Sequence, residues 1–282
     1  MSWALKSQPD LTDNQFRRWQ QLLESRTGIY LGGHKSILQA GLLKRMRQLG
    51  CDCYDQYLQQ VDSVERSSII EWGELLNSLT VQETRFFRDP AAFITVQEYL
   101  EQQITQGNVE ESLELWSVGC SSGEEAYSLA VTAAEAVRAT STDTFFGVTG
   151  TDISNSAIAS AETAVYKQTQ LQIIEPSLRY RYFRPIAKGQ YQVVPAVQSR
   201  VCFSRSNISL VEQLPKMMMD VIYCQNMLIY FKQEGRTSVL NALFERLKPG
   251  GLLITGPGES QGWCHAGVRR IDNNRVEGYI KL

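Results

Sequence analysis

Histidine is almost absent: His34 and His265 are the only two in 282 residues. That excludes a metal site built from several histidines and counts against serine-type hydrolysis, which needs a histidine base beside its nucleophile. Cysteine is sparse as well, with six residues at 51, 53, 120, 202, 224 and 264 and no CxxC pair. Cys51-Asp52-Cys53 is too tight for a zinc or redox pair, so reduced, structural thiols in a reducing compartment are expected. No apolar run approaches the roughly 18 residues of a membrane helix, and the opening MSWALKSQPD has no apolar signal core, so a cytoplasmic protein without membrane insertion is expected. Charge of one sign is lacking too. With 28 Lys plus Arg against 30 Asp plus Glu, a net charge of -2 and a pI near 5.9, nothing draws the chain to nucleic acid or an anionic membrane. Any basic docking surface must be local.

What is present is 43% hydrophobic residues, 10% of the chain being aromatic, enough for one large core and, by length, two units. Thr12-Asp13-Asn14-Gln15 fits a capping box, and Phe16, Trp19, Leu22 and Leu23 recur at helical spacing behind it. The helix ends near Gly28. After Gly32-Gly33, the residues Ile37, Leu38, Leu42, Met46 and Leu49 define a second apolar face; Tyr54, Tyr57, Leu58 and Val61 suggest a third helix, and Ile69 to Leu79 a fourth. Residues 1–80 therefore read as a helical domain, and 81–282 as a second domain of another kind. In that second part the runs 113–118, 145–151, 201–206, 220–225 and 251–255 look like strands alternating with helices, the pattern of an α/β domain with a mostly parallel sheet. SNSAIASAETAVY reads as one of its helices. A small antiparallel β insertion is expected at about 178–200, where YRYFRPIA and QYQVVPAV flank Lys188-Gly189, and the tail 268–282 reads as a hairpin turning at Asp272-Asn273-Asn274.

LELWSVGCSSGEEAYSLAV, residues 113–131, runs from a strand through a small-residue turn into a helix. The dinucleotide pattern GxGxxG is missing, since Ser121 stands where a glycine must let a pyrophosphate approach. A helix start still favours a carboxylate, and Glu124 or Glu125 could meet an ammonium, so the Gly119 turn suits an amino-acid moiety such as that of S-adenosylmethionine. From the residues alone, a tight turn with solvated acids stands as the alternative. Asp152 in GVTGTDIS can accept hydrogen bonds from two ribose hydroxyls or cap the next helix. Asn207 follows a strand where its amide could reach an adenine edge. DVIYCQNMLIYF breaks an apolar strand with Gln225-Asn226, as where a strand meets water or ligand; the Asn/Asp-Pro-Pro-aromatic motif that grips a flipped base is absent. In SLTVQETRFFRDP, Arg85 and Arg88 stand beside a domain boundary, able to clamp a carboxylate or simply to end a helix.

Together, FRRWQQLLESRTGIYL, HKSILQAGLLKRMRQLG, NSLTVQETRFFRDP, LWSVGCSSGEEAYSLA, GTDIS, RYF, FSRSNISL, DVIYCQNMLIYF and LKPGGLLITG resemble the chemotaxis-receptor methyltransferase (CheR) family over nearly the whole chain. The combination of TxFFR, SxGEExYS and C-x-N-x-x-I-Y-F is specific. The resemblance implies a Rossmann-like class I methyltransferase domain behind an all-α domain. It also implies a cytoplasmic monomer at receptor arrays that moves a methyl group from S-adenosylmethionine to receptor glutamates, leaving S-adenosylhomocysteine. It implies that Gln82, Thr84 and Arg88 line the cofactor and substrate site with the Gly119 turn, that Glu124 or Glu125 meets the methionine end and Asp152 the ribose, and that Asn207, Ile208, Gln225 and Asn226 surround the adenine and adjacent sugar. Arg88 and Tyr230 match residues that orient the reacting groups. Three departures bear on fine contacts and partner choice: Gln82 replaces a usual Asn, Gln225 a usual Arg, and Gly256-Pro257-Gly258-Glu259 a usual Gly-His-Ser-Glu. Lys35, Lys44, Arg45 and Arg47 lie on one helix without an acid, a solvated face by composition and, under the resemblance, a dock for the acidic helices of a receptor bundle. In some relatives the β insertion binds a receptor tail by adding a strand; no residue of this chain shows that it does so here. A small-molecule carboxyl or hydroxyl methyltransferase and a non-catalytic S-adenosylmethionine sensor stand as alternatives.

Overall fold

A computed structural model describes residues 10–80, 83–109 and 111–282. The chain divides into two compact units, Met1–Val81 and Gln82–Leu282.

The first unit holds four helices, α1 (Asp13–Thr27), α2 (Lys35–Leu49), α3 (Tyr54–Asp62) and α4 (Arg66–Leu79). The capping box forms as its residues require: Thr12 Oγ1 accepts from the Gln15 N–H at 3.3 Å and Gln15 Oε1 accepts from the Thr12 N–H at 3.0 Å. Gly28 then ends α1 in the left-handed conformation. The apolar stripes converge on a core of Trp19, Leu23, Leu38, Leu42, Met46, Tyr57 and Leu75, all buried. At its edge Arg45 grips Glu71 with two nitrogens, Nε to Oε1 at 3.0 Å and Nη2 to Oε2 at 2.6 Å, while the Tyr57 hydroxyl donates to Oε1. Lys35 pairs with Asp13 at 2.7 Å. The four cations of α2 are thus not one free face: Arg45 is spent inside the unit, and Lys44 and Arg47 carry the exposed charge.

The second unit runs α5 (Pro90–Thr105), β1 (Ser112–Val118), α6 (Glu124–Ala139), β2 (Phe145–Asp152), α7 (Asn155–Thr163), β3 (Val165–Lys167), α8 (Pro176–Tyr182), β4 (Phe183–Ala187), β5 (Gln190–Val193), α9 (Pro195–Gln198), β6 (Val201–Arg205), β7 (Met219–Cys224), α10 (Gln233–Phe244), β8 (Leu247–Thr255), β9 (Val268–Arg270) and β10 (Glu277–Lys281). Its main sheet has the order β6-β2-β1-β7-β8-β10-β9. The first five strands are parallel and β10 alone reverses against β8 and β9. This is the mostly parallel sheet that the alternating pattern predicts, in the Rossmann-like form that the resemblance implies. Helices cover both faces, so the central strands are largely buried on both sides and read as mainly apolar runs. Among the described residues, no helix is long and apolar enough to cross a membrane.

The insertion is larger than its hairpin. β4 and β5 turn at Lys188-Gly189 as expected, but β3 pairs with β5 to make a three-stranded sheet. The helix expected through Tyr166 stops at Thr163, where Ala164 takes a left-handed conformation at φ 53° without a glycine to announce it. Prolines at the first turns of α8 and α9 make short helices of the hairpin's flanks.

One buried acid fastens the insertion to the main unit. Glu135 on α6 accepts hydrogen bonds from Arg138, Arg181 and the Tyr182 hydroxyl. Burial pushes its carboxyl up, but those three donors outweigh it and hold it at about 2. This raises stability above the ordinary carboxylate range and is lost as pH falls from about 4.5 toward 2. Glu135→Gln is expected to cost about 1–3 kcal/mol at pH 7, read as a melting-temperature loss of about 2–4 °C per kcal/mol. The gap from the native protein should narrow below pH 4.5; a constant gap would show that charge is not the cause.

Candidate active site

Strand order reverses between β1 and β7, and a doubly wound sheet binds ligands at such a reversal, beyond the carboxyl ends of its strands. The loops after β1, β2, β6, β7 and β8 carry Gly119–Gly123, Asp152, Asn207, Gln225–Asn226 and Gly256–Glu259 respectively. They meet at that edge because parallel strands place all their carboxyl ends together.

The loop after β1 turns sharply. Gly119 and Cys120 both donate to the Thr151 carbonyl, at 2.8 and 2.9 Å. Gly119, Ser121 and Gly123 all take positive φ, at 77°, 49° and 93°. At Gly123 a Cβ would lie 2.8 Å from Ala161 Cβ and 2.9 Å from the Tyr166 hydroxyl, so only glycine fits. Asp152 is not the cap of α7: its Oδ2 accepts from the Ser121 N–H at 3.0 Å and its Oδ1 from the Ser154 N–H at 2.8 Å. The helix cap is Ser154, whose hydroxyl accepts from the Ala157 N–H. Asp152 therefore ties the glycine loop to the end of β2.

The two glutamates at the start of α6 differ sharply. Glu124 is 1% exposed, and its two oxygens accept from the Ser122 hydroxyl and the Gln170 amide, at 2.7 and 2.8 Å. Glu125 is only half-covered and accepts one side-chain hydrogen bond, from Ser117 at 2.7 Å. Loss of water pushes its carboxyl up to about 8, with Glu259 and Asp152 adding repulsion and Ser117 and Arg88 opposing it. Among the described residues it has no ion-pair partner.

Arg88 reaches this floor on a short loop anchored by the two phenylalanines. Phe86 is buried, edge-on to Tyr166 and Phe183 at 4.8 and 5.2 Å; the Phe87 N–H donates to Ser128 Oγ at 3.0 Å with φ at 47°. Asp89 follows, capping α5 through the Ala92 N–H and accepting from Gln225 Nε2 at 3.0 Å. Gln225 gives its other amide hydrogen to the Thr255 carbonyl at 3.2 Å and accepts from the Tyr223 hydroxyl. Both its N–H groups are spent, so it locks the Arg88 loop to the end of β7. Arg88 itself stays exposed, with Nη1 donating to the Glu83 carbonyl at 3.1 Å. Tyr230 is half-buried; burial pushes its hydroxyl up while the nearby Arg88 pulls it down, the net being upward, so it is a protonated donor at neutral pH.

Thr84, Asn207 and Ile208 are each half-buried at the rim, Asn207 accepting from Ser209 through Oδ1. Asn226 stands at φ 60° after β7. Gln82 lies outside the described residues, and no role for Arg85 emerges. Sequence reasoning gave no role to two structural contributors, Asp89 and Glu259. Asp89 precedes Pro90 in a helix-start pattern and was legible as a cap; Glu259 closes the Gly256–Glu259 stretch that the resemblance marks, but nothing in that stretch announces a main-chain contact. His265 sits against Phe244 and Trp263, not among these residues.

Comparison with known proteins places this geometry. The family model described as the CheR methyltransferase SAM binding domain matches residues 82–266, and that described as the CheR methyltransferase all-alpha domain matches residues 14–80. The chain is 33% identical over 256 residues to a chemotaxis protein methyltransferase of Klebsiella aerogenes, covering 89% of this chain and 84% of that one. It is 31% identical to the chemotaxis protein methyltransferase of Salmonella typhimurium over 89% of this chain and 85% of that one. It is 28% identical to a probable biofilm formation methyltransferase of Pseudomonas aeruginosa, over 90% of this chain and 59% of that one. Both domain models in their proper order, over a seven-stranded methyltransferase sheet with its strand-end site, show that the chain belongs to the CheR methyltransferase family and carries its S-adenosylmethionine-binding domain.

Proposed function

We propose that this protein methylates the side-chain carboxylate of specific glutamates in chemoreceptors, in the cytoplasm. The observation that carries the reading is a strand-end site that pairs a desolvated, cation-free carboxylate, Glu125, with an exposed guanidinium, Arg88, and a protonated phenol, Tyr230, and contains no histidine.

The residues fit S-adenosylmethionine. Burial pushes the Glu125 carboxyl up, a cost that an α-ammonium beside it would offset. The Gly119 turn and the start of α6 suit the α-carboxylate, and Asp152, at the end of β2, would meet the ribose hydroxyls. Asn207, Ile208 and Asn226, on the loops after β6 and β7, would border the adenine. The bound cofactor supplies a methyl group on a sulfonium, open to in-line displacement. Glu125, rather than Glu124, is the group for the amine, because both Glu124 oxygens are already engaged.

A glutamate acceptor with an ordinary pKa of about 4.3 is ionised at neutral pH and needs no base. What the protein contributes is alignment and exclusion of water. Arg88 grips the incoming carboxylate as a fixed cation, and the Tyr230 hydroxyl donates to its second oxygen, leaving one lone pair aimed at the methyl carbon. Anion and cation disappear together in the transition state, so a dry site that withdraws solvation from the separated ions favours the reaction. The acidic receptor bundle would meet the exposed Lys44 and Arg47 of α2, Arg45 being tied to Glu71.

Incubation with methyl-labelled cofactor and receptor cytoplasmic fragments tests the reading. Base-labile label on receptor glutamates is expected; label on metabolites alone would indicate a small-molecule methyltransferase, and tight cofactor binding without transfer a sensor. Arg88→Ala should lower transfer about 100-fold or more while calorimetry finds S-adenosylhomocysteine binding little changed; an undiminished rate refutes the role of Arg88. Lys44→Glu should raise KM for the receptor fragment, with the native KM rising with salt, and leave cofactor affinity alone. For Glu125 the sign follows from its raised carboxyl. The folded, ligand-free protein resists its ionisation, so stability falls as pH climbs from about 4.5 to about 8. Glu125→Gln should therefore melt higher than the native protein at pH 8, with the gain fading toward pH 4.5. It should also bind S-adenosylhomocysteine about 10- to 100-fold more weakly at pH 8, without the native rise in affinity between pH 6 and 8.

A further inference from the structure

Glu259 is a buried carboxylate, 1% exposed, with no cationic partner among the described residues. Its oxygens accept instead from backbone. Oε2 takes the Asn226 N–H at 2.8 Å and the Gly256 N–H at 2.9 Å, and Oε1 takes the Ile229 N–H at 3.1 Å, with the Leu228 N–H also directed at the group. Three of these four amides belong to the loop after β7. That loop leaves the sheet through Asn226 at φ 60°, a conformation costly for a residue with a side chain, and delivers Tyr230 four residues later. Its backbone makes few other fixed contacts: Tyr230 N–H to the Met227 carbonyl and Phe231 N–H to the Leu228 carbonyl are both local. Backbone N–H groups converging on a negative charge form an anion site like a nest, with the protein's own side chain as the anion.

We propose that Glu259 is a positioning residue for methyl transfer, which holds the Asn226–Tyr230 loop in shape from beneath and so sets the Tyr230 hydroxyl opposite Arg88. The inference rests on the reaction proposed above. Glu259 touches neither reactant; it acts through the amides of Asn226, Leu228 and Ile229. Its location is not interchangeable with that of a neutral amide side chain, because a glutamine presents one acceptor oxygen and one donor nitrogen to donors that all point inward. Gly256 belongs to the same device: a Cβ at that position would overlap Glu259 Oε2, so glycine is what lets the carboxylate reach the loop. The charge is also felt across the site, since Glu259 is one of the groups that push the Glu125 carboxyl up, together with Asp152 and against Arg88 and Ser117.

The test compares Glu259→Gln with the native full-length chain, in three readouts. Amide hydrogen exchange should show protection of Asn226 and Ile229 falling at least tenfold while the amides of β7 are unchanged. Steady-state methyl transfer should show kcat falling tenfold or more with KM for the receptor fragment within threefold. S-adenosylhomocysteine titrations should show the acidic limb of the affinity profile moved to lower pH, because one repelling charge has left Glu125, which a merely structural loss would not produce. If Glu259→Gln does not fold, Gly256→Ala keeps the carboxylate but displaces it, and the same fall in loop protection and kcat is expected. Native-like protection at Asn226 and Ile229 in a folded variant, or native kcat, or an unmoved acidic limb, overturns the proposal. Absence of receptor methylation by the native protein overturns the reaction instead, and leaves the exchange and titration results to decide the role of the carboxylate.

Discussion

Four carboxylates gathered at the ends of parallel strands, with a single exposed guanidinium among them, are the constraint on which the site's construction depends. A buried charge without a counter-ion is costly, and each acid meets that cost differently. Glu124 is satisfied by a hydroxyl and a side-chain amide. Asp152 and Glu259 draw on backbone N–H groups that loops turn toward them. Burial nonetheless raises all four carboxyls, and Glu125, with a single side-chain donor, rises furthest, to about 8. A cationic ligand beside Glu125 would offset that cost, so the cost carried by the carboxyl and the affinity for the ligand are linked.

The sheet makes this possible because parallel strands end with several loops side by side. The sharp turn after β1 exposes the Ser121 N–H to Asp152, and the turn after β7 exposes those of Asn226 and Ile229 to Glu259. In both places a residue that is not glycine takes positive φ, Ser121 at 49° and Asn226 at 60°, and in both a carboxylate holds the strained turn. Local strain and buried charge therefore offset one another, each stabilising what would be unfavourable alone.

Much of this was legible in the residues. The capping box at Thr12, the four apolar stripes of the first unit and the mainly apolar strands of the second follow from short-range chemistry, and the structure repeats them. The extra strand Val165–Lys167 was not legible, since a three-residue strand has too little period to count and Ala164 ends its helix without a glycine. Nor was the fate of Arg45: four cations without an acid on one helix read as a surface, and Glu71, which consumes one of them, is 26 residues away. For the same reason the role of Glu259 was not legible, though the residue stands in a stretch the resemblance marks. Its partners are backbone groups of a loop some 30 residues earlier, and no side-chain pattern records a main-chain donor.

Gln225 shows how charge economy shapes such a site. The family resemblance leads one to expect arginine there. The amide bridges to Asp89 at 3.0 Å and to the Thr255 carbonyl, but brings no charge. An arginine would add a second guanidinium on the β7 side of the floor, lowering the Glu125 carboxyl and competing with Arg88 for the incoming carboxylate. With glutamine the Arg88 loop stays fastened to the sheet by neutral hydrogen bonds, which ionic strength screens little. Under the proposed reaction, recognition of the acceptor's charge would rest on Arg88, the exposed group of the pair, while Asp89, Gln225 and the two phenylalanines hold its loop in place.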